Sequence, residues 1–273
     1  MTDAAETARA TARQAHDSAW MDRAARLGLV LYGVVHLVIA TLAVQLALGD
    51  RSEAPSGSGA MAAVAEQPFG KAALWFIAFG MLLLVVWAAA DLVAGHRGED
   101  GFELAKHRLI DVGKASGWVV LGIAAVSKAT GTAGGGGGEE ALTARLMNLP
   151  GGQLLVGVVA LVILAVGAVH IRKGLSGKHA EKLATEGRSG EAGRAYVLIG
   201  KVGYVGKGVA IVLVGILFAI AAVTHKSGSS GGLDDGLSSL LDLPFGPWLL
   251  LVVALGIGCF GLFCFARARH LTR

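Results

Sequence analysis

Six stretches of about 20 predominantly apolar residues recur along this chain, the length a helix needs to cross the hydrocarbon core of a bilayer. They run 27–48, 72–94, 109–129, 152–171, 202–224 and 248–266. Few polar groups interrupt them: Tyr32, His36, Thr41 and Gln45 in the first, Asp91 near the end of the second, and His170 in the fourth. Asp111, Lys114 and Ser116 open the third, and Lys207 stands in the fifth. A soluble fold that buried all six would have too little polar surface left. The chain is 54% hydrophobic and 16% charged, against about 25% charged in soluble proteins, and its mean hydropathy is +0.62. The expectation is an all-α polytopic membrane protein with six transmembrane helices.

Basic residues orient such a protein, because they gather in cytoplasmic loops. Nineteen of the 24 Lys and Arg residues fall on one side: before span one, between spans two and three, between spans four and five, and after span six. The other side holds Arg51, Lys71, Lys128, Arg145 and Lys226. Both termini are therefore expected in the cytoplasm, with the polar segment 1–24 on that face. Span one follows 26 residues that include several charges, which is unlike a cleaved signal peptide. The formal charge of +4 is accounted for by topology and by attraction to anionic lipids. No basic stretch interleaved with aromatics points to nucleic acid. Cys259 and Cys264 both lie in span six, without a CxxC or a metal-ligand spacing. Packing is their expected role.

The spans repeat in pairs. Pro68, Pro150 and Pro244 each precede a returning span, and a glycine follows two places later at Gly70, Gly152 and Gly246. A charged residue comes 23 places after each proline, at Asp91, Lys173 and Arg267. The outgoing spans align on Gly28, Gly113 and Gly203, and five places on stand Gly33, Trp118 and Gly208. The organisation expected is three tandem helical hairpins, 25–98, 106–177 and 196–269, with a charged cytoplasmic linker over 172–195. Three hairpins of like orientation can surround a pseudo-threefold axis normal to the membrane. Each outer loop passes through a flexible Gly/Ser stretch into a short segment with roughly helical apolar spacing, as in "AMAAVAEQ", "EALTARLMNL" and "DGLSSLLDL". These read as short interfacial helices. The proline is expected in the first turn of the returning span, where its missing N–H needs no partner. Phe69 and Phe245 are expected to anchor at the interface. Glycines Gly28, Gly33, Gly113, Gly203 and Gly208 are expected to let helices approach closely.

The phrase "QPFGK" before an alanine- and leucine-rich span, with "RLGLVLYGVVHLVIA" opening the first hairpin, resembles the domain-of-unknown-function 1206 family. The likeness spans roughly residues 25 to 269 and is best in the first and third hairpins, since the second has Pro150-Gly151-Gly152 and lacks the phenylalanine. It implies a bacterial integral membrane protein of repeated two-helix units. It implies no activity.

Ionisable groups within spans are the natural candidates for chemistry. Lys114 and Lys207 each lie about 5 residues from the cytoplasmic end, roughly 7 Å, within reach of the headgroups by snorkelling. Asp91 lies in the same layer and could pair with either. His36 is deeper, roughly 14 Å in, and suits either a hydrogen bond to a neighbouring helix or a proton relay. Phosphate-loop, HExxH and GxSxG motifs are absent. No enzyme activity, cofactor or metal is therefore expected. Two functions remain: a structural or accessory protein acting through membrane lipids or protein partners, and a small transporter or channel using His36, Asp91, Lys114 and Lys207. A centre lined by those side chains favours transport, and a filled apolar centre opposes it.

Overall fold

The computed structural model describes residues 19–50, 52–90, 92, 101–132, 152–224 and 233–271. Eight α-helices account for most of them: α1 (Ala19–Ala47), α2 (Gly57–Ala65), α3 (Gly70–Ala90), α4 (Gly101–Thr130), α5 (Gly152–Leu175), α6 (Gly190–Thr224), α7 (Leu233–Ser238) and α8 (Gly246–Arg269). Short 3-10 turns cover Lys178–Lys182, Thr185–Arg188 and Ser239–Asp242. Among the described residues the one extended pairing is an isolated bridge between Leu183 and Leu271. Five helices are long and apolar enough to cross a bilayer: α1 from Trp20, α3, α5, α6 and α8. Helix α4 is 30 residues long but more polar, with Asp111, Lys114 and Lys128 along it.

The long helices pack in the order α5–α6–α8–α1–α3–α4. The core shared by α1, α3, α4, α6 and α8 runs from Leu29 and Val35 through Ala43, Met81 and Trp118 to Leu250. Small residues set the closest crossings, as membrane helices require. A Cβ at Gly33 would stand 2.8 Å from the carbonyl oxygen of Gly261, and one at Gly208 2.9 Å from that of Gly167. Gly28 lies as close to Gly80, and Gly203 to Phe260. Gly113 departs from this expectation, since nothing comes within 4 Å of its would-be Cβ. Among the described residues no helix lies against its flank of α4.

The two short outer helices close the end of the bundle. Ser56 caps α2, its hydroxyl accepting from the Gly59 N–H at 3.2 Å. Ala60 and Met61 are then fully buried, as is Leu237 of α7. Both helices turn apolar residues toward the bundle. The corresponding segment of the second hairpin, with Pro150, falls outside the described residues.

The proline phrase differs from its expected form. Helices α3 and α8 begin at Gly70 and Gly246, so Pro68 and Pro244 precede the helix and lie outside its first turn. Each occupies the second position of a four-residue turn, closed by Gly70 N–H to Gln67 O at 2.8 Å and by Gly246 N–H to Leu243 O at 2.9 Å. The third position needs positive φ in the type II pattern. Phe69 and Phe245 supply it at 65° and 61°, although glycine is the usual residue there. Glycine is spent one place later because a Cβ at Gly70 would stand 2.2 Å from the Val64 carbonyl oxygen, and one at Gly246 2.5 Å from that of Leu240. The two phenylalanines are held 90% and 79% exposed.

Candidate functional site

The end of the bundle that carries the linker turns holds a cluster of basic and aromatic side chains drawn from α1, α5, α6, α8 and those turns. Its centre is Lys207 of α6. The ammonium turns inward, donating to the Tyr32 hydroxyl at 2.6 Å and to His36 Nε2 at 3.1 Å. It also lies 4.0 Å from the Phe260 ring centroid and 4.7 Å from that of Tyr32, close enough for cation–π attraction. The His36 tautomer follows from its neighbours: Nδ1 faces the Tyr32 carbonyl oxygen at 2.9 Å and so carries the proton, leaving Nε2 to accept. Snorkelling is thus not how Lys207 is accommodated. A deeply placed ammonium loses water and is held by a phenol, an imidazole and two ring faces.

A second lysine repeats the pattern. Lys182, from the linker turn, donates to the Tyr204 hydroxyl at 2.9 Å. Burial, together with the like charges of Arg267, Lys114 and Lys173, pushes its pKa well below the usual lysine value. His170 stacks on the Tyr204 ring at 5.8 Å. Tyr204 and Tyr32 both meet Phe260 edge-on, at 5.4 and 6.1 Å, so the two Lys–Tyr pairs share one aromatic wall. On the far side Arg267 lies over Trp87 at 5.6 Å, and Trp87 packs beside Trp118.

The linker itself is built into this end. His179 is fully buried, with Nδ1 3.2 Å from the Lys173 carbonyl oxygen and Nε2 2.8 Å from that of Val197. It thereby ties the turn to both α5 and α6. The Ala184 N–H donates to His270 O at 2.8 Å, and Arg26 donates to Arg269 O at 3.2 Å. The chain after α8 is therefore fastened to the linker and to the start of α1.

Of the four polar candidates the structure brings two together, His36 and Lys207. Lys114 instead pairs with Asp111, one turn earlier on α4. Asp91 lies outside the described residues. Gln45 is exposed. Tyr32, Tyr204, Lys182 and His179 are not among the sequence candidates, although Tyr32 carries a local signal: it lies four residues before His36 on the same helix face. Tyr204 meets Lys182 across 22 positions, which no local pattern reports. Lys182 and His179 carry none, since a linker charge looks the same whether solvated or folded back. Among the described residues no group of three or more His, Cys, Asp or Glu side chains could hold a metal ion. What the cluster offers chemically is concentrated positive charge beside apolar walls.

The family model described as Domain of Unknown Function (DUF1206) matches the chain three times, at residues 27–91, 112–177 and 202–270. Each match covers one hairpin. The "Uncharacterized protein YxxB" of Bacillus subtilis (strain 168) is 23% identical over 256 residues, which is 93% of this chain and 93% of that protein. No solved structure matches the chain.

Proposed function

This chain belongs to the Domain of Unknown Function (DUF1206) family, and from that premise we propose that it is a structural or accessory protein of the bacterial cytoplasmic membrane. It acts through contacts with lipids or protein partners and has no enzymatic activity. In this reading α4 is a sixth crossing, about 45 Å long at 1.5 Å per residue, and the three hairpins surround a pseudo-threefold axis. The excess of Lys and Arg on one face supports cytoplasmic termini.

The observation that carries the reading is the filled centre. Ala43, Leu46, Met61, Leu74, Ala125 and Leu237 are all at most 5% exposed and belong to one continuous core, so among the described residues the outer half is packed with apolar side chains. A single cysteine at Ser52 should react with an impermeant maleimide in intact cells, whereas one at Ser176 should react only after permeabilisation. The purified protein in liposomes should pass neither protons nor ions. Steady flux would overturn the accessory reading.

The hydrogen-bonded series Tyr32–His36–Lys207 favours a second reading, proton-coupled transport. Flux that vanished in Lys207→Met would establish it.

A further inference from the structure

Helices α6 and α8 touch backbone to backbone, since a Cβ at Gly256 would stand 2.6 Å from the Gly206 Cα. Where two helices meet on glycine, no side chain fills the valley beside the crossing. Here that valley is a groove of about 520 Å³, within the range of small-molecule sites. Every residue lining it is among those described. Gly206 and Gly256 lie at its floor, and Val202 and Val252 stand on its two walls, 38% and 68% exposed. Leu240, from the turn before α8, stands at its outer end, with its carbonyl oxygen against Gly246, the first residue of α8.

The groove has one charged end and an apolar length. Along α6 it runs from Leu198 to Val209, about 17 Å at 1.5 Å per residue. Half of a bilayer's hydrocarbon core is about 15 Å deep, so the groove matches one leaflet. Lys201 is the one charged residue that lines it. Its side chain is exposed and stands immediately before the apolar span 202–224, at the level where headgroups lie. Arg194 shares that face of α6, two turns nearer the start of the helix. Helix α8 carries no carboxylate, and the one acid of α6, Glu191, is ten residues before Lys201. Asp242 follows Leu240 by two residues, at the opposite end. An anionic headgroup is therefore drawn to one end of the groove and repelled from the other.

We propose that the α6/α8 groove binds an anionic phospholipid of the cytoplasmic leaflet, with its phosphate at Lys201 and one acyl chain along Val202, Gly206, Gly256 and Val252. This deepens the accessory reading above and rests on it. A lysine at the interface attracts an anionic headgroup. The acyl chain makes close dispersion contacts along the glycine floor, where no side chain of the protein makes them.

The test uses the full-length protein in mild detergent, titrated with phosphatidylglycerol and phosphatidylcholine of identical chains and read by native mass spectrometry. The first phosphatidylglycerol should bind roughly fivefold more tightly, the size expected for one lysine beside an anionic headgroup. Lys201→Gln should bring that ratio close to one, while Lys71→Gln at the outer face leaves it intact. Val252→Trp fills the groove from an exposed wall, without touching charge or the glycine contact, and should weaken both lipids. Equal affinity for the two lipids, a preference that survives Lys201→Gln, or undiminished binding to Val252→Trp would overturn the proposal. Full competition by millimolar inorganic phosphate would mark a free-anion site instead, and a lipid-free dimer lost in Val252→Trp would assign the groove to a second copy. Either result also overturns it. Failure here leaves the maleimide and flux outcomes untouched, so the two readings fall separately.

Discussion

The third hairpin and the second are built from the same repeat and meet opposite fates. In the third, α6 and α8 touch backbone to backbone: a Cβ at Gly206 would stand 2.4 Å from the Gly256 Cα. In the second, among the described residues, α4 and α5 show no comparable crossing. The residue five places beyond the aligned glycine also differs. Copies one and three have Gly33 and Gly208, whereas copy two has Trp118. Its indole is 5% exposed and packs against Trp87 and Tyr32, fastening α4 to the preceding hairpin.

The comparison breaks most readily at that tryptophan. Trp118→Ala should cost about 3 kcal/mol or more, read as thermal unfolding in detergent, and a negligible loss would show that α4 is held by something else. Gly206→Leu should cost about 2–3 kcal/mol by forcing α6 from α8, while Gly113→Leu costs almost nothing. Equal losses at the two sites would mean that the second hairpin closes like the third. Lys207→Met should cost about 1–3 kcal/mol, because Tyr32 and His36 lose a buried partner. Lys114→Met, whose side chain is 38% exposed, should stay below about 1 kcal/mol. The smallest effect sharpens the contrast: Gly113→Ala should raise stability by about 0.5–1 kcal/mol, since only helix propensity changes in open space. A loss there would reveal a close neighbour.

Five long apolar helices and a threefold repeat were legible in the sequence because both are written in local patterns. Apolar runs report bilayer crossings, and the Pro–Gly anchors recur at nearly constant intervals. Contacts between distant helices were not legible. Lys207 finds Tyr32 and His36 across 175 and 171 positions, and its neighbours in sequence say only that it lies near the cytoplasmic face. Gly113 fits the repeat as well as Gly28 or Gly203 does, because a glycine looks the same in sequence with or without a helix against it. The start of α3 was misplaced by two residues for a related reason. Proline and glycine propensities put the helix at Pro68, but the chain places positive φ on Phe69, where propensity would not look for it.

The packing order of the long helices also bears on the order in which the protein is made. Chains enter the bilayer from the N-terminus, and α4 finds α3 already in place. Helix α5 does not share that advantage, because its packed partners, α6 and the Lys178–Lys182 turn, both follow it in sequence. It must wait among lipids or within the insertion machinery until α6 emerges. An interruption of synthesis between α5 and α6 would strand an apolar helix before the partners it packs on most, among the described residues, have been made.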